Sequence, residues 1–396
     1  MRALSPQARL LSAEVRVHVI DPSAYTPPYD HALCGALAAA GAHVELYTSR
    51  FAHGSVAAAE GYERHEFFYR GAARLRRPAA RRAVKLAEHV PDMLRYRRRA
   101  RDADIVHFQW LAVQHLDGHL LPRGRPLVIT SHDILPREAR PGQRAAQRRL
   151  YRRFDAVVVH SEHGRARLVD ELGVEEARVH VIPHGAFAHL AAQARPPHAD
   201  AAAGAEGDGA PGSAPGAVRV PVVLCFGLMR PYKGIDVLLR AWRGIEGAEL
   251  WVVGMPRMDL AALRAQAPPG VRFVPRFISE AELPGYFRAA ALVVLPYREI
   301  DQSGVLATAL AFGRPLLLSD AGGFPEMERT GAARIVPAGD AEALHAALAQ
   351  LLGDPAALAR MGAAASAAAA GELSWGAVAR RTLDLYETLL AQRGAR

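Results

Sequence analysis

Only two cysteines stand in the 396 residues, Cys34 and Cys225, far apart and each inside an apolar pattern. That scarcity excludes a disulfide framework and a cysteine-ligated metal site, and it fits a reducing compartment, the cytoplasm. No uninterrupted apolar run approaches the roughly 18 to 20 residues that span a bilayer. The N-terminus, MRALSPQARLLSAEVRVHVI, has no separate apolar core followed by a small-residue cleavage site, so export is not expected. Zinc-finger, RNA-binding and helix-turn-helix patterns are missing, which argues against a nucleic-acid partner. Acidic side chains are the minority, 40 against 49 Lys and Arg, giving a net charge of +9.

The basic excess is concentrated between Arg70 and Arg101, where Arg81, Arg82, Lys85, Arg95, Arg97 and Arg98 are among the cations. Leu86, Val90, Met93 and Leu94 lie between them at helical spacing. A basic amphipathic helix of this kind suits an anionic membrane surface or a phosphate-bearing substrate, while a solvated helix face is the plainer reading. With this patch the protein is expected in the cytoplasm, peripheral at the inner membrane face.

Apolar runs and helical patterns alternate along the chain. Strands are expected at 15–20, 44–47, 105–108, 127–130, 156–160 and 179–182, with helices at 29–40, 144–154 and 164–172 among those between them. Residues 190–217, LAAQARPPHADAAAGAEGDGAPGSAPGA, have no apolar period and read as a linker or loop. The alternation restarts with strands at 222–226, 249–253, 271–274, 293–295, 316–318 and 334–336. Helices at 341–352, 355–369 and 375–392 close the chain. The expected organisation is a first domain over 1–189, the linker, a second domain over 218–373, and a crossing helix over 374–396 packing back on the first. Both domains read as doubly wound parallel sheets, with a cleft expected between them at the C-terminal ends of the strands.

Two stretches of the second domain carry chemistry. In Phe226-Gly227-Leu228-Met229-Arg230-Pro231-Tyr232-Lys233-Gly234, a strand runs into a helix, so Arg230 and Lys233 project near the strand's C-terminal end. Two cations three residues apart suit a diphosphate, the guanidinium by forked hydrogen bonds and the ammonium as a point charge. Residues 293–326 run strand, polar loop, helix, strand, and Gln302-Ser303-Gly304 opens the helix. A helix start presents unpaired N–H groups and the positive end of a dipole to an anion.

These motifs resemble the family 4 glycosyltransferases of the GT-B fold. The resemblance rests on Gly227 to Asp236 and on PY…SGV…AxAxGRP…SDxGGxPE over 296–326. Val181-Ile182-Pro183-His184-Gly185 and the segment 339–355 add to it. It implies two Rossmann-like domains facing across a cleft and a hexosyl-type transfer from a nucleotide sugar, UDP- or GDP-linked, with retention and no required metal or cofactor. The acceptor it leaves open is a sugar, a lipid-linked group or a small molecule. It assigns the donor diphosphate to Gly227, Arg230, Lys233 and the N–H groups of Ser303, Gly304 and Val305, and the nucleotide base to the loop at Arg276 and Phe277.

The family pattern has two glutamates where this chain has Ile300 and Thr308. Thr308 is expected to reach a ribose hydroxyl, and Glu299 or, preferably, Asp301 to supply the absent acid. His132 resembles the family histidine that contacts the donor sugar. Tyr29 and Asp30, with Asp30-His31 read as a helix cap, and His107 and Trp110 are expected on the acceptor side. Asp102-Ala103-Asp104 has a metal-pair spacing but precedes a buried strand, away from the expected cleft. The open alternatives are a nucleotide-sugar epimerase or phosphorylase of the same fold, and a non-catalytic binding or scaffold subunit.

Overall fold

The computed structural model describes residues 15–52, 54, 56–134, 142–192 and 220–395. The chain divides into one unit of Met1–Pro183 with Trp375–Arg396 and a second of His184–Ser374.

The first unit holds seven parallel strands: β1 (Arg16–Asp21), β2 (His43–Ser49), β3 (Glu63–Phe68), β4 (Ile105–Phe108), β5 (Leu127–Thr130), β6 (Ala156–Val159) and β7 (Val179–Val181). Their order is β3-β2-β1-β4-β5-β6-β7. Every residue of β4, β5 and β6 is buried, as strands covered on both faces must be. Helices α1 (Pro27–Ala39), α2 (Pro78–Arg99), α3 (Gln114–Leu120), α4 (Gln143–Tyr151) and α5 (Glu162–Asp170) connect them. The order reverses between β1 and β4, so the loops leaving those two strands part and open a crevice at their C-terminal ends.

The second unit begins with a short helix, α6 (Ala188–Ala192), whose last three residues fall in the stretch read as linker; the rest of that linker, from residue 193, lies outside the described residues. Six parallel strands follow: β8 (Val222–Phe226), β9 (Glu249–Val253), β10 (Val271–Val274), β11 (Ala290–Leu295), β12 (Leu316–Ser319) and β13 (Ala333–Val336), ordered β10-β9-β8-β11-β12-β13. The helices are α7 (Ile235–Ala241), α8 (Ala261–Ala265), α9 (Leu283–Ala289), α10 (Gly304–Ala311), α11 (Ala341–Leu352) and α12 (Pro355–Ala370). The switch point here lies between β8 and β11, whose loops carry the two motifs singled out above.

The final helix, Trp375–Gly394, packs against α1 in the first unit. Its Tyr386 is fully buried, and the hydroxyl lies 2.6 Å from His107 Nδ1 while Thr130 Oγ1 lies 2.8 Å from Nε2. Both ring nitrogens of His107 are therefore committed inside the core. This overturns its expected acceptor-side role: it ties β4, β5 and the last helix together. The cysteines are buried and unpaired.

Two further expectations are corrected. The apolar stripe of α2 is split: Met93 is buried, whereas Leu86, Val90 and Leu94 are exposed at 60%, 37% and 42%. Asp30 does not cap α1, which starts at Pro27 after Thr26; Asp30 lies buried in the first turn. Burial first, then the charge of Asp21, pushes Asp30 well above the usual carboxylate range, so it holds a proton and donates to Asp21. The Asp21 carboxylate accepts from the backbone N–H of Ser23, Tyr25 and Thr26, fixing the β1–α1 loop.

Burial lowers the pKa of His107 to about 3. The unfolded chain takes up this proton below about pH 6.5 and the folded chain does not, so the stability is complete above that pH and is lost as pH falls, by up to about 1.4 kcal/mol per unit. Urea unfolding at about pH 7.5 and about pH 5.5 should show the loss, and His107→Gln should reduce it. Equal losses in both proteins would remove His107 from the account.

Candidate active site

The site in the second unit is built from the loops after β8 and β11. Gly227 leaves β8 at φ +116, and a Cβ there would lie 3.2 Å from Val305 Cγ2 and 3.6 Å from Lys233 Nζ. The bare backbone thus lets Lys233 and the start of α10 close on one point. Lys233 is only 8% exposed, on a 3₁₀ turn spanning Pro231–Lys233. Its ammonium donates to Tyr297 Oη at 2.5 Å and lies 3.8 Å from the centre of the Tyr297 ring. A buried cation needs such partners, because its desolvation costs several kcal/mol. Arg230 stands exposed at the start of the same turn.

Ser303 caps α10, its Oγ accepting from Leu306 N at 3.3 Å. The N–H groups of Gly304 and Val305 remain outside the helical ladder and keep the anion-binding character of a helix start. Thr308 is buried and its hydroxyl donates to Gly304 O at 2.8 Å, so it offers a ribose only acceptor lone pairs. Ile300 is also buried, while Asp301 and Glu299 flank it, half-buried and exposed. The loop after β10 presents Phe277 at 52% exposure. Beside it, Arg276 pairs with Glu282 at 2.7 Å, and that guanidinium holds the Glu282 carboxyl down at about 2.

In the first unit, His132 follows β5 and is buried. The half-buried Trp110 ring stacks on it at 5.0 Å and 16°, and the buried Tyr29 meets it edge-on at 4.7 Å. Trp110, with its indole N–H donating to Thr26 Oγ1 at 2.9 Å, is thus the ring that covers His132. His160 Nδ1 donates to Ile182 O at 2.9 Å, which leaves its Nε2 to accept from His132 Nδ1 at 3.4 Å. His132 Nε2 lies 3.1 Å from Gln109 Oε1, and the Gln109 NH₂ has no hydrogen-bond partner among the described residues. A cavity of about 280 Å³ beside the start of α1 is lined by Ala24, Pro27, Thr48, Arg50, Tyr62 and Arg64, among others.

A family model described as Glycosyltransferase Family 4 matches residues 9–186, and one described as Glycosyl transferases group 1 matches residues 220–354. A D-inositol 3-phosphate glycosyltransferase of Nocardia farcinica is 33% identical over 325 residues, 74% of this chain and 68% of that protein. The chain belongs to the family 4 glycosyltransferases. The corresponding protein of Kineococcus radiotolerans is 27% identical over 324 residues, covering 72% and 70%. Among solved structures, the catalytic domain of Starch Synthase IV from Arabidopsis thaliana, bound to ADP and acarbose, superposes with a TM-score of 0.71 over 96% of this chain and all of that one, at 15% identity. Anabaena Alr3699/HepE in complex with UDP-glucose gives 0.69 at 17% identity, over 94% and 99%. These likenesses show the GT-B fold.

In this glycosyltransferase, sequence reasoning singled out Arg230, Lys233, Ser303 and Gly304, which the structure places on the loops after β8 and β11, and did not single out Tyr297, Asp21, Gln109 and His160. Each of the four stands at or just after the last residue of a strand, a position that alone marks a residue for the crevice.

Gly234 sets the loop that delivers Lys233: at φ +66, a Cβ there would lie 2.0 Å from Pro296 O. Gly244, at φ +80, has nothing within 4 Å. Gly234→Ala should lower thermal stability by well over about 1 kcal/mol, and Gly244→Ala by only about 1. Equal losses would mean that the close approach to Pro296 does not constrain the loop.

Proposed function

We propose that this glycosyltransferase transfers a hexose from a UDP- or GDP-linked donor to an acceptor hydroxyl with retention at the anomeric carbon. The observation that carries the reading is the convergence of Lys233 Nζ, Gly227 and Val305 at the start of α10, with Arg230 on the same turn. That convergence puts an ammonium and two unpaired N–H groups about one point, which suits a diphosphate leaving group whose charge grows in the transition state. Phe277 offers a face to the nucleotide base, and Asp301 is the carboxylate best placed in the chain to serve the donor sugar. In the first unit, Trp110 and the cavity beside α1 would receive the acceptor. Relatives named as D-inositol 3-phosphate glycosyltransferases and as GDP-mannose:glycolipid 4-beta-D-mannosyltransferase point to an inositol phosphate or a glycolipid acceptor.

Titration of UDP and GDP into the protein should show micromolar binding of one of them, weakened about 10- to 100-fold in Lys233→Ala and in Arg230→Ala. Transfer from the matching sugar donor should fall further, about 100- to 1,000-fold, because the charge to be stabilised is larger in the transition state. NMR of the product should show the donor's anomeric configuration. Nucleotide binding without transfer to any acceptor would favour the binding-subunit reading that Ile300 and Thr308 motivate. No binding of either nucleotide would sink both.

We further propose that the acceptor lies at an anionic membrane surface, on which α2 docks. Leu86, Val90 and Leu94 are spaced four residues apart on one exposed stripe, with Arg82, Arg95 and Arg98 exposed around them. Apolar side chains ringed by guanidinium groups match the boundary between acyl chains and acidic headgroups. No helix among the described residues is long and apolar enough to cross a membrane. Vesicles with about a third phosphatidylglycerol should bind the protein, pure phosphatidylcholine should not, and Leu86→Glu with Leu94→Glu should weaken binding about 10-fold or more. Equal binding by the double variant would exclude this helix as the docking face.

A further inference from the structure

The sheet of the first unit carries a cluster of ligand-type side chains that glycosyl transfer does not use. β1, β2 and β3 pair in a register that aligns His18 with Glu45 and Glu45 with Glu63. Side chains two apart on a strand share a face, so His65 joins the same side. All four sit in the N-terminal halves of their strands, whereas Gln109, Trp110, His132 and His160 follow the C-terminal ends of theirs.

Three of the four lie close together, and His18 stands beside them. One ligand atom each from Glu45, Glu63 and His65 lie within 4.8 Å of one another. His65 Nε2 is 3.0 Å from Glu45 Oε2 and 3.6 Å from Glu63 Oε2. His18, with no exposed surface, has its Nε2 3.5 Å from Glu45 Oε1, yet this nitrogen makes no hydrogen bond. A tetrahedron with bonds of about 2.0–2.1 Å has edges of about 3.3–3.4 Å, and the separations of His65 Nε2 from Glu45 and Glu63 lie on either side of that figure, while His18 faces the other oxygen of Glu45. The surroundings supply outer partners too. Tyr96 Oη lies 3.4 Å from His18 Nδ1, and Tyr47 Oη donates to Glu45 Oε2 at 2.8 Å.

We propose that His18, Glu45, Glu63 and His65 bind one borderline divalent metal ion, Zn²⁺ or a close congener, at a site separate from the transfer chemistry. His18 Nδ1–H donates to Tyr96, which turns the Nε2 lone pair to the metal. Such pairing of a ligating imidazole with an outer oxygen fixes its tautomer and orientation. Two imidazoles and two carboxylates suit zinc better than the all-oxygen shells of calcium or magnesium. Glu63 and His65 lie on the edge strand β3, which pairs with a neighbour on one side only, so the ion would pin that edge to β1 and β2. The inference does not depend on the donor or acceptor reading.

The test uses the full chain without a histidine tag, stripped with chelator and dialysed against Zn²⁺ or Co²⁺. The expected result is one tightly held equivalent, an intense visible spectrum of four-coordinate Co²⁺, and a thermal midpoint that rises with metal. His65→Ala and Glu63→Gln, at a half-buried and an exposed position, should fold and weaken binding by more than about 100-fold, beyond the loss of an outer-shell partner. His18→Asn tests the buried ligand, its folding checked by circular dichroism. No stoichiometric binding by the parent overturns the proposal. So does an equivalent that survives unchanged in His65→Ala and Glu63→Gln, because the ion would then sit elsewhere.

Discussion

A buried ammonium governs the crevice of the second unit. Lys233 reaches the floor of the β8–β11 crevice with almost no exposure, and an uncompensated charge there would cost several kcal/mol. Tyr297 offsets that cost twice, by its hydroxyl and by the face of its ring. Much of the local sequence follows from this demand. Gly227 is without a side chain because Val305 and Lys233 close over it, and Gly234 because the turn must pass against Pro296. Tyr297 is itself fixed, its carbonyl accepting from Ser319 Oγ at 2.6 Å, so β12 also holds the cation's partner in place.

The first unit answers a different demand with neutral groups. Its crevice is floored by a relay from Ile182 O through His160 and His132 to Gln109, roofed by Trp110. Burial lowers His160 to about 4, so at neutral pH its imidazole is uncharged, donating through Nδ1 and accepting through Nε2. His107 lies below, closed off by Thr130 and Tyr386. One sheet therefore carries histidines in three settings: a sealed core bridge, a tautomer relay at the strand ends, and a metal-type cluster near the strand starts.

What could be read in the chain follows from how each element is stabilised. β4, β5 and β6 are covered on both faces and write themselves as unbroken apolar runs, and β4, β5, β8, β9 and β10 match the expected ranges to the residue. β3 was missed because ERHEFF carries polar side chains for an edge with one neighbour. Arg230, Lys233 and Ser303 were legible because their chemistry is local to one loop and one helix start. His107 was misread because its partner Tyr386 is 279 positions away, a distance no local pattern spans. Asp30 was misread as a cap because a buried carboxylate pair looks like two ordinary loop acids until the burial is known. The stripe of α2 was read as one face when Met93 turns inward and its neighbours do not, a division set by the core of the first unit rather than by spacing.

The last helix has a consequence for how the chain comes to be folded. β1 and its partner α1 precede the second unit along the chain, and the helix that buries α1 and closes on His107 follows it. Between them the whole of the second unit is synthesised. The first unit must therefore wait, with α1 and the Thr130–His107 pair uncovered, while its later neighbour completes its own sheet. The order of maturation is the reverse of the order of the two sheets in the sequence: the second sheet closes first, and Trp375–Gly394 then seals the sheet that precedes it.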